Sequence, residues 1–221
     1  MCPLKSSYEL LCHKLGIIKD EHPPFGTDWV GYETLIQFIE SNCILSVPGD
    51  IVEIGTFLGG GAYKIAKFLE KKGSSKRLFV VDIFDPTFDC TVNSFNKDMK
   101  SLYLRALEKY KGKSQYAVFS EVTQGCKNIV VLAGDSKKLT VPSERLCFAF
   151  IDGNHDPQYA ENDFYLVWNK LGSNGAVAFH DYGSILPQTT AKIDELIRKH
   201  GSEIKNTIHL KKKNILFIMK N

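Results

Sequence analysis

The sequence predicts an α/β fold, a Rossmann-like doubly wound sheet of seven mostly parallel strands with an antiparallel strand at the C-terminal end. Short apolar runs rich in β-branched residues recur along the chain, and amphipathic stretches with helical spacing separate them. The runs are continuously apolar, as expected for strands that helices cover on both faces. A predicted hairpin at the end of the chain adds the antiparallel strand.

The elements follow from these patterns in chain order. The predicted parallel strands cover residues 50–55, 77–82, 128–132, 146–152 and 176–180. The predicted helices cover residues 29–41, 62–72, 97–111, 160–171 and 190–200. The predicted hairpin pairs residues 205–210 with residues 215–219.

The length of 221 residues corresponds to one large domain with a small extension. We expect an N-terminal helical extension at residues 1–48 and the main domain at residues 49–221. Within the main domain, the stretch of about 84–127 between two strands is far longer than a usual connection. It is predicted to be an insert that serves as a lid or binds the substrate, with a helix followed by a polar loop.

Composition excludes several classes of protein. The formal net charge is +3, which offers no electrostatic reason to expect a nucleic-acid partner. No apolar run approaches the length of ~20 residues that spans a bilayer, and the N-terminus lacks the apolar stretch of a signal peptide, so no membrane association is expected. The six cysteines form no Cys-x-x-Cys pair, and a cytoplasmic protein with reduced thiols is expected.

Polar groups follow the predicted strands at the edge where ligands bind in an open parallel sheet. The first strand leads into the glycine-rich stretch 55–61, and the later strands end near Asp82, Asp135, Asp152 and Asp181. Acidic groups crowded at one edge repel each other unless something binds there. The glycine spacing, Gly-x-x-x-Gly-Gly-Gly, matches neither the dinucleotide fingerprint nor the triphosphate-binding loop. A purely structural tight turn remains an alternative for the glycines.

These motifs resemble those of class I S-adenosylmethionine-dependent methyltransferases. Residues 53–61 resemble the first motif of that family, Asp82 resembles its ribose-binding acidic residue, and residues 134–136 resemble its adenine-side motif. Residues 150–155 and 175–182 resemble the small-molecule O-methyltransferase branch that includes catechol and caffeoyl-coenzyme A enzymes. The Asp-Gly-x-His stretch is most similar to the sugar O-methyltransferases of the macrocin type.

The resemblance implies a cofactor site for S-adenosylmethionine. Glycines 55, 59 and 61 would surround its methionine part, with Thr56 in the same loop and Glu53 supporting it. Asp82 would hold the ribose, and Ile83 would lie against the adenine. The adenine edge would face Asp135 and Ser136.

The resemblance also implies a divalent metal, Mg²⁺ or Mn²⁺, bound by Asp152, His180 and Asp181. His180 stands where the sugar branch has an acidic residue, and an imidazole there would shift the preference toward Mn²⁺, Fe²⁺ or Zn²⁺. The alternative is that the metal has been lost and His180 only forms hydrogen bonds. His155 is the candidate general base beside the catalytic Asp152, since a histidine can accept a proton near neutral pH. The alternative role of His155 is to orient Asp152.

The sequence therefore predicts methyl transfer from S-adenosylmethionine to a hydroxyl of a small molecule, such as a sugar, polyketide or phenol. Two alternatives remain open. One is a protein of the same fold that binds the cofactor without catalysis, and the other is a nucleotide-dependent oxidoreductase. A homodimer is expected by resemblance alone.

Overall fold

A computed structural model describes residues 30–221 and places a seven-stranded sheet between two layers of helices. The strands are β1 Asp50–Ile54, β2 Leu78–Asp82, β3 Ile129–Ala133, β4 Leu146–Ile151, β5 Leu171–Phe179, β6 Ile204–Leu210 and β7 Ile215–Lys220. The helices are α1 Tyr32–Ser41, α2 Gly60–Lys71, α3 Met99–Glu108, α4 Gln115–Val122, α5 Pro157–Trp168 and α6 Pro187–Lys199.

The strand order is β3-β2-β1-β4-β5-β7-β6. Strands β1 to β5 pair in parallel, whereas β7 is antiparallel to both β5 and β6. The predicted fold class, including the C-terminal hairpin, is confirmed. The direction of winding reverses between the neighbouring strands β1 and β4. In open α/β sheets such a reversal opens a crevice at the carboxyl ends of the strands, and this position becomes the candidate site.

Each face of the sheet has its own apolar core because successive strand residues point to opposite faces. In β4, Phe148 and Phe150 join the core beneath α1 and α2, while Ala149 and Ile151 join the core beneath α5 and α6. The alternation explains why the central strands read as continuous apolar runs in the sequence.

Helix α1 packs on the first of these cores, so the described part of the predicted extension is attached to the sheet. Phe38 stacks on Phe217 of β7 with ring centroids 3.9 Å apart. Residues 1–29, including the predicted helix start at residue 29, lie outside the described residues.

Several predicted boundaries are wrong. The stretch expected as a polar loop up to residue 127 contains α4, which begins after Ser114 as its N-cap and buries Val118, Phe119 and Val122. Helix α5 starts three residues earlier than predicted because Asp156 caps it and Pro157 occupies its first turn. Leu171, expected at the end of that helix, instead begins β5 and pairs with β4.

Candidate active site

A cavity of about 310 Å³ lies at the carboxyl ends of the parallel strands, at the reversal between β1 and β4. Most of the residues that the sequence motifs indicated line this cavity. The predicted residues in its lining are Gly55, Thr56, Gly61, Asp82, Ile83, Asp135, Ser136, Asp152, His155, His180 and Asp181. Glu53 and Gly59 are outside the lining, beneath or beside the glycine loop.

Gly55 is required where the glycine loop crosses the end of β4. Its φ of +83° lies in the left-handed region, and a Cβ added there would be 2.1 Å from the carbonyl oxygen of Asp152. Because glycine has no Cβ, the loop can pack directly against the backbone at the end of β4, next to Asp152. The glycine loop and the acidic groups after β4 consequently share one cavity.

Glu53 supports the loop from below. Its carboxyl is fully buried and accepts a hydrogen bond of 2.5 Å from the Tyr32 hydroxyl, while its second oxygen, Oε2, has no hydrogen-bond partner among the described residues. Burial raises the pKa of Glu53 to about 8. Tyr32 reaches it across Gly61, where an added Cβ would be 1.8 Å from the Tyr32 ring. Tyr32 is thus a supporting residue that the sequence motifs did not indicate.

Asp82, predicted to hold a ribose, also shapes the loop. One carboxylate oxygen accepts the backbone N–H groups of Thr56 and Phe57 at 2.8 and 3.0 Å. The other accepts from the Phe84 N–H at 2.7 Å and the Gln115 side chain at 3.1 Å. These four bonds fill about the number of lone-pair positions that a carboxylate offers. A ribose hydroxyl would therefore have to replace one of them, and Gln115 is the one side chain among the donors.

His155 lies between two carboxylates and is buried. Its Nδ1 is 2.6 Å from Asp89 and its Nε2 is 3.0 Å from Asp181. Burial opposes the charge on the ring, but the hydrogen bonds to Asp181 and Asp89 outweigh it and raise the pKa of His155 to about 10. A pKa in this range favours the protonated form of His155 at neutral pH. Asp89 comes from the insert, and no motif indicated it.

His180 contacts the two predicted acidic ligands. Its Nδ1 is 3.0 Å from Asp152 and 3.3 Å from Asp181. Burial lowers its basicity, but the charges of Asp152 and Asp181 outweigh that effect and raise the pKa of His180 to about 10. The two imidazoles in turn hold the pKa of Asp181 well below its usual range against the effect of burial.

The predicted metal ligands Asp152, His180 and Asp181 are thus brought together. Among the described residues, the set whose ligand atoms all lie within 4.8 Å of one another is Asp152, His155 and Asp181, and the predicted ligand His180 is not part of it. Carboxylate oxygen and imidazole nitrogen are both suitable donors for divalent ions such as Mn²⁺ or Zn²⁺. The chemistry of the cluster fits a metal, with His155 inside this set and the predicted ligand His180 beside it, 3.0 Å from Asp152 and 3.3 Å from Asp181.

Tyr103 of α3 is another lining residue without a sequence signal. Its ring packs 5.1 Å from that of Phe57 in the glycine loop. Burial and the nearby charges of Asp152 and Asp89 raise the pKa of its hydroxyl well above the usual value. The insert therefore contributes both a carboxylate and a phenol to the cavity.

A family model described as a methyltransferase domain matches residues 52–182, more than half of the chain. The chain therefore belongs to this methyltransferase family, and the predicted family is confirmed. The match begins in β1 and ends just after the His180–Asp181 pair, so it spans all the strands that line the cavity.

Solved structures show the same fold. The O-methyltransferase NovP is 19% identical with a TM-score of 0.67, and the alignment covers 86% of this chain and 79% of that one. The TDP-rhamnose 3'-O-methyltransferase CalS11 is 15% identical with a TM-score of 0.50, over 85% and 79% of the two chains. MycE, solved with Mg and SAH, is 12% identical with a TM-score of 0.50, over 84% and 48%.

No curated protein sequence matches this chain significantly. Within residues 30–221, none of the helices combines the length and the apolar character that crossing a bilayer requires.

The raised pKa of Glu53 predicts a pH-dependent contribution to stability. The folded protein binds the Glu53 proton more tightly than the unfolded chain does, because the pKa of a glutamate in the unfolded chain is the ordinary value of 4.5. Relative to Glu53→Gln, the wild-type free energy of unfolding should therefore fall as the pH rises from 5 to 8. Urea unfolding of both proteins at several pH values measures this difference.

The matched control is Glu121→Gln, which removes an exposed carboxylate. The difference in free energy of unfolding between Glu121→Gln and wild type should change little between pH 5 and 8. A difference between wild type and Glu53→Gln that stays constant with pH would contradict the assignment of a neutral Glu53 at low pH.

Proposed function

We propose that this protein transfers a methyl group from S-adenosylmethionine to a hydroxyl of a small molecule. The observation that carries the proposal is the single cavity in which a glycine loop, the acidic ends of β2 and β4, and the His155–Asp181 pair meet. The methyltransferase family and the O-methyltransferases that share the fold support it. Sugars, polyketides and phenols remain the acceptor classes to test.

The cofactor would lie along the strand ends. Gly55, Thr56 and Gly61 would enclose its methionine part, and Gly59, which lies outside the cavity lining, would shape the loop. Asp82 would meet the ribose after exchange of its Gln115 contact, with Ile83 against the base. The Asp135–Ser136 loop would border the base at the far end of the cavity.

The acceptor hydroxyl would enter at Nε2 of His155 and replace the contact of that atom with Asp181. Loss of this contact removes one of the two interactions that keep the ring protonated, so the pKa of His155 falls. The Nε2 proton can then leave to solvent, and the neutral ring can accept the acceptor's proton at that atom. Asp89 holds Nδ1–H and thereby fixes which nitrogen faces the acceptor.

In the reaction the acceptor oxygen bonds to the methyl carbon, and the electron pair of the breaking C–S bond remains on sulfur. The hydroxyl proton passes to Nε2 of His155. The products are a methyl ether and S-adenosylhomocysteine. Placing the oxygen in line with the C–S bond is the main contribution that a rigid cavity can make.

A divalent ion, Mg²⁺ or Mn²⁺, would be held by Asp152, Asp181 and His180. When bound, such an ion lowers the pKa of a coordinated hydroxyl and orients it. We also propose a homodimer in the cytoplasm.

Ligand-dependent thermal unfolding tests the cofactor. Metal-free protein is unfolded with S-adenosylmethionine, S-adenosylhomocysteine, NAD or ATP. A ligand at about 100 times its dissociation constant should raise Tm by about 5–10 °C. The proposal expects this shift with the two adenosyl-sulfur ligands only. A shift with NAD alone would favour the oxidoreductase alternative, and cofactor binding without turnover on any acceptor would favour the binding protein.

The roles of the two histidines can be separated by Mn²⁺ binding. Adding Mn²⁺ to the metal-free protein should raise its Tm. In His180→Gln and in Asp181→Asn, this increase should be lost, or the affinity for Mn²⁺ should fall at least about tenfold. His155→Gln should keep Mn²⁺ binding and lose turnover. Glu195→Gln, an exposed change on α6, is the control. Loss of Mn²⁺ binding in His155→Gln but not in His180→Gln would make His155 the ligand and remove it as the base.

A further inference from the structure

A second cavity lies beside His155, between the insert and the first turns of α5 and α6, and its volume is about 770 Å³. It shares a wall with the first cavity, because four residues line both: Phe88, Asn154, His155 and Tyr159. The proposed mechanism brings the acceptor hydroxyl to His155 and gives the second cavity no role. This cavity is therefore in position to hold the part of the acceptor that does not react.

Two asparagines of the second cavity have their side-chain orientation fixed by the backbone. Oδ1 of Asn154 accepts a hydrogen bond of 2.9 Å from the N–H of Asp156. Oδ1 of Asn93 accepts from the N–H groups of Phe95 and Lys97 at 3.0 and 3.1 Å. Because the oxygen is turned to the backbone, the NH2 group of each side chain remains for a ligand. Both asparagines line the cavity, so each offers it a hydrogen-bond donor.

Lys137 supplies a positive charge to the same cavity. Its Nζ lies 3.7 Å from the centroid of the Tyr159 ring and forms no salt bridge within residues 30–221. The carboxylate that lines this cavity is that of Asp156, whose Oδ1 caps α5 by accepting from the N–H of Gln158 at 2.8 Å. The positive end of the helix dipole stabilises the charge of Asp156 there. The Lys137 ammonium group is left without a carboxylate partner, which favours an anionic ligand.

Hydrogen-bond donors predominate in the second cavity. Besides the two asparagines and Lys137, its lining includes the first turn of α6, where Leu186 provides no side-chain cap. The N–H groups of Gln188 and Thr189 therefore add further donors. Amide and ammonium donors around one space match a carboxylate or a phosphate, since the oxygens of these ions accept hydrogen bonds.

We propose that the second cavity is a subsite for an anionic group, a carboxylate or a phosphate, carried by the methyl acceptor. The inference rests on the proposed function, which places the reacting hydroxyl at His155 in the shared wall. Lys137 balances the charge of the anion, and Asn93 and Asn154 donate to its oxygens. The protein thereby selects acidic acceptors over neutral ones of the same shape.

The test measures anion binding to the second cavity by NMR. Isotopically labelled protein is saturated with S-adenosylhomocysteine and titrated with inorganic phosphate, benzoate or benzamide. Benzamide has nearly the shape of benzoate but no charge. The backbone amide signals of Asn154 and Gln188 report on the second cavity, and the signal of Gly55 reports on the cofactor.

Two variants test the donors. Lys137→Gln removes the positive charge. Asn154→Asp keeps an oxygen that can accept from the Asp156 N–H, but it replaces the NH2 group by a second oxygen. The matched control is Lys138→Gln, which removes a neighbouring exposed lysine that is not part of the cavity lining.

Phosphate and benzoate should shift the Asn154 and Gln188 signals while S-adenosylhomocysteine is bound, and benzamide should bind at least about fivefold more weakly than benzoate. Lys137→Gln and Asn154→Asp should each raise the dissociation constants of both anions at least about threefold. Lys138→Gln should bind the anions like wild type. Lys137→Gln decides the matter if Asn154→Asp does not fold.

Equal binding of benzoate and benzamide, or anion affinities that Lys137→Gln leaves unchanged, would overturn the inference. Absence of anion binding, or displacement of the anion by S-adenosylhomocysteine, would overturn it while leaving the proposed cofactor intact. If S-adenosylhomocysteine itself does not bind, the proposed function fails, and the assignment of the anion to a methyl acceptor fails with it.

Discussion

The contact between Gly55 and the backbone of Asp152 is the constraint on which the candidate site depends. An added Cβ at Gly55 would be 2.1 Å from the Asp152 carbonyl oxygen, so only glycine allows the ends of β1 and β4 to approach this closely. The approach occurs where the sheet reverses its winding direction. It joins the glycine loop, which has the features of a cofactor cradle, to the cluster of acidic and imidazole groups, which has the features of a reaction centre.

Electrostatic balance explains how so many acidic groups share this crevice. Asp89 and Asp181 face His155, and Asp152 and Asp181 face His180, so the imidazolium ions offset the carboxylates. Asp82 is stabilised differently, by four N–H donors. In the proposed reaction, some of these contacts would be exchanged for contacts with a cofactor, an acceptor or a cation.

The sequence predicted the parts of the site that depend on strand order. Parallel strands bring their carboxyl ends to one edge, so Asp82, Asp135, Asp152 and Asp181 could be placed together from spacing alone. Contacts between distant segments left no local pattern. Asp89 meets His155 across 66 positions, and Tyr32 meets Glu53 across 21. Helix α4 was missed because its short apolar face lies in a polar stretch, which resembles a loop when read without its packing partner.

A crystal structure with S-adenosylhomocysteine tests the central claim most directly. We expect the ligand in the cavity, with its sulfur between the glycine loop and the Asp152–His155–Asp181 cluster, and its base against the Asp135–Ser136 loop. A ligand bound elsewhere, or one lying in the cavity with its sulfur directed away from the cluster, would contradict the account. Either result would show whether the contact between β1 and β4 joins cofactor and chemistry in one site.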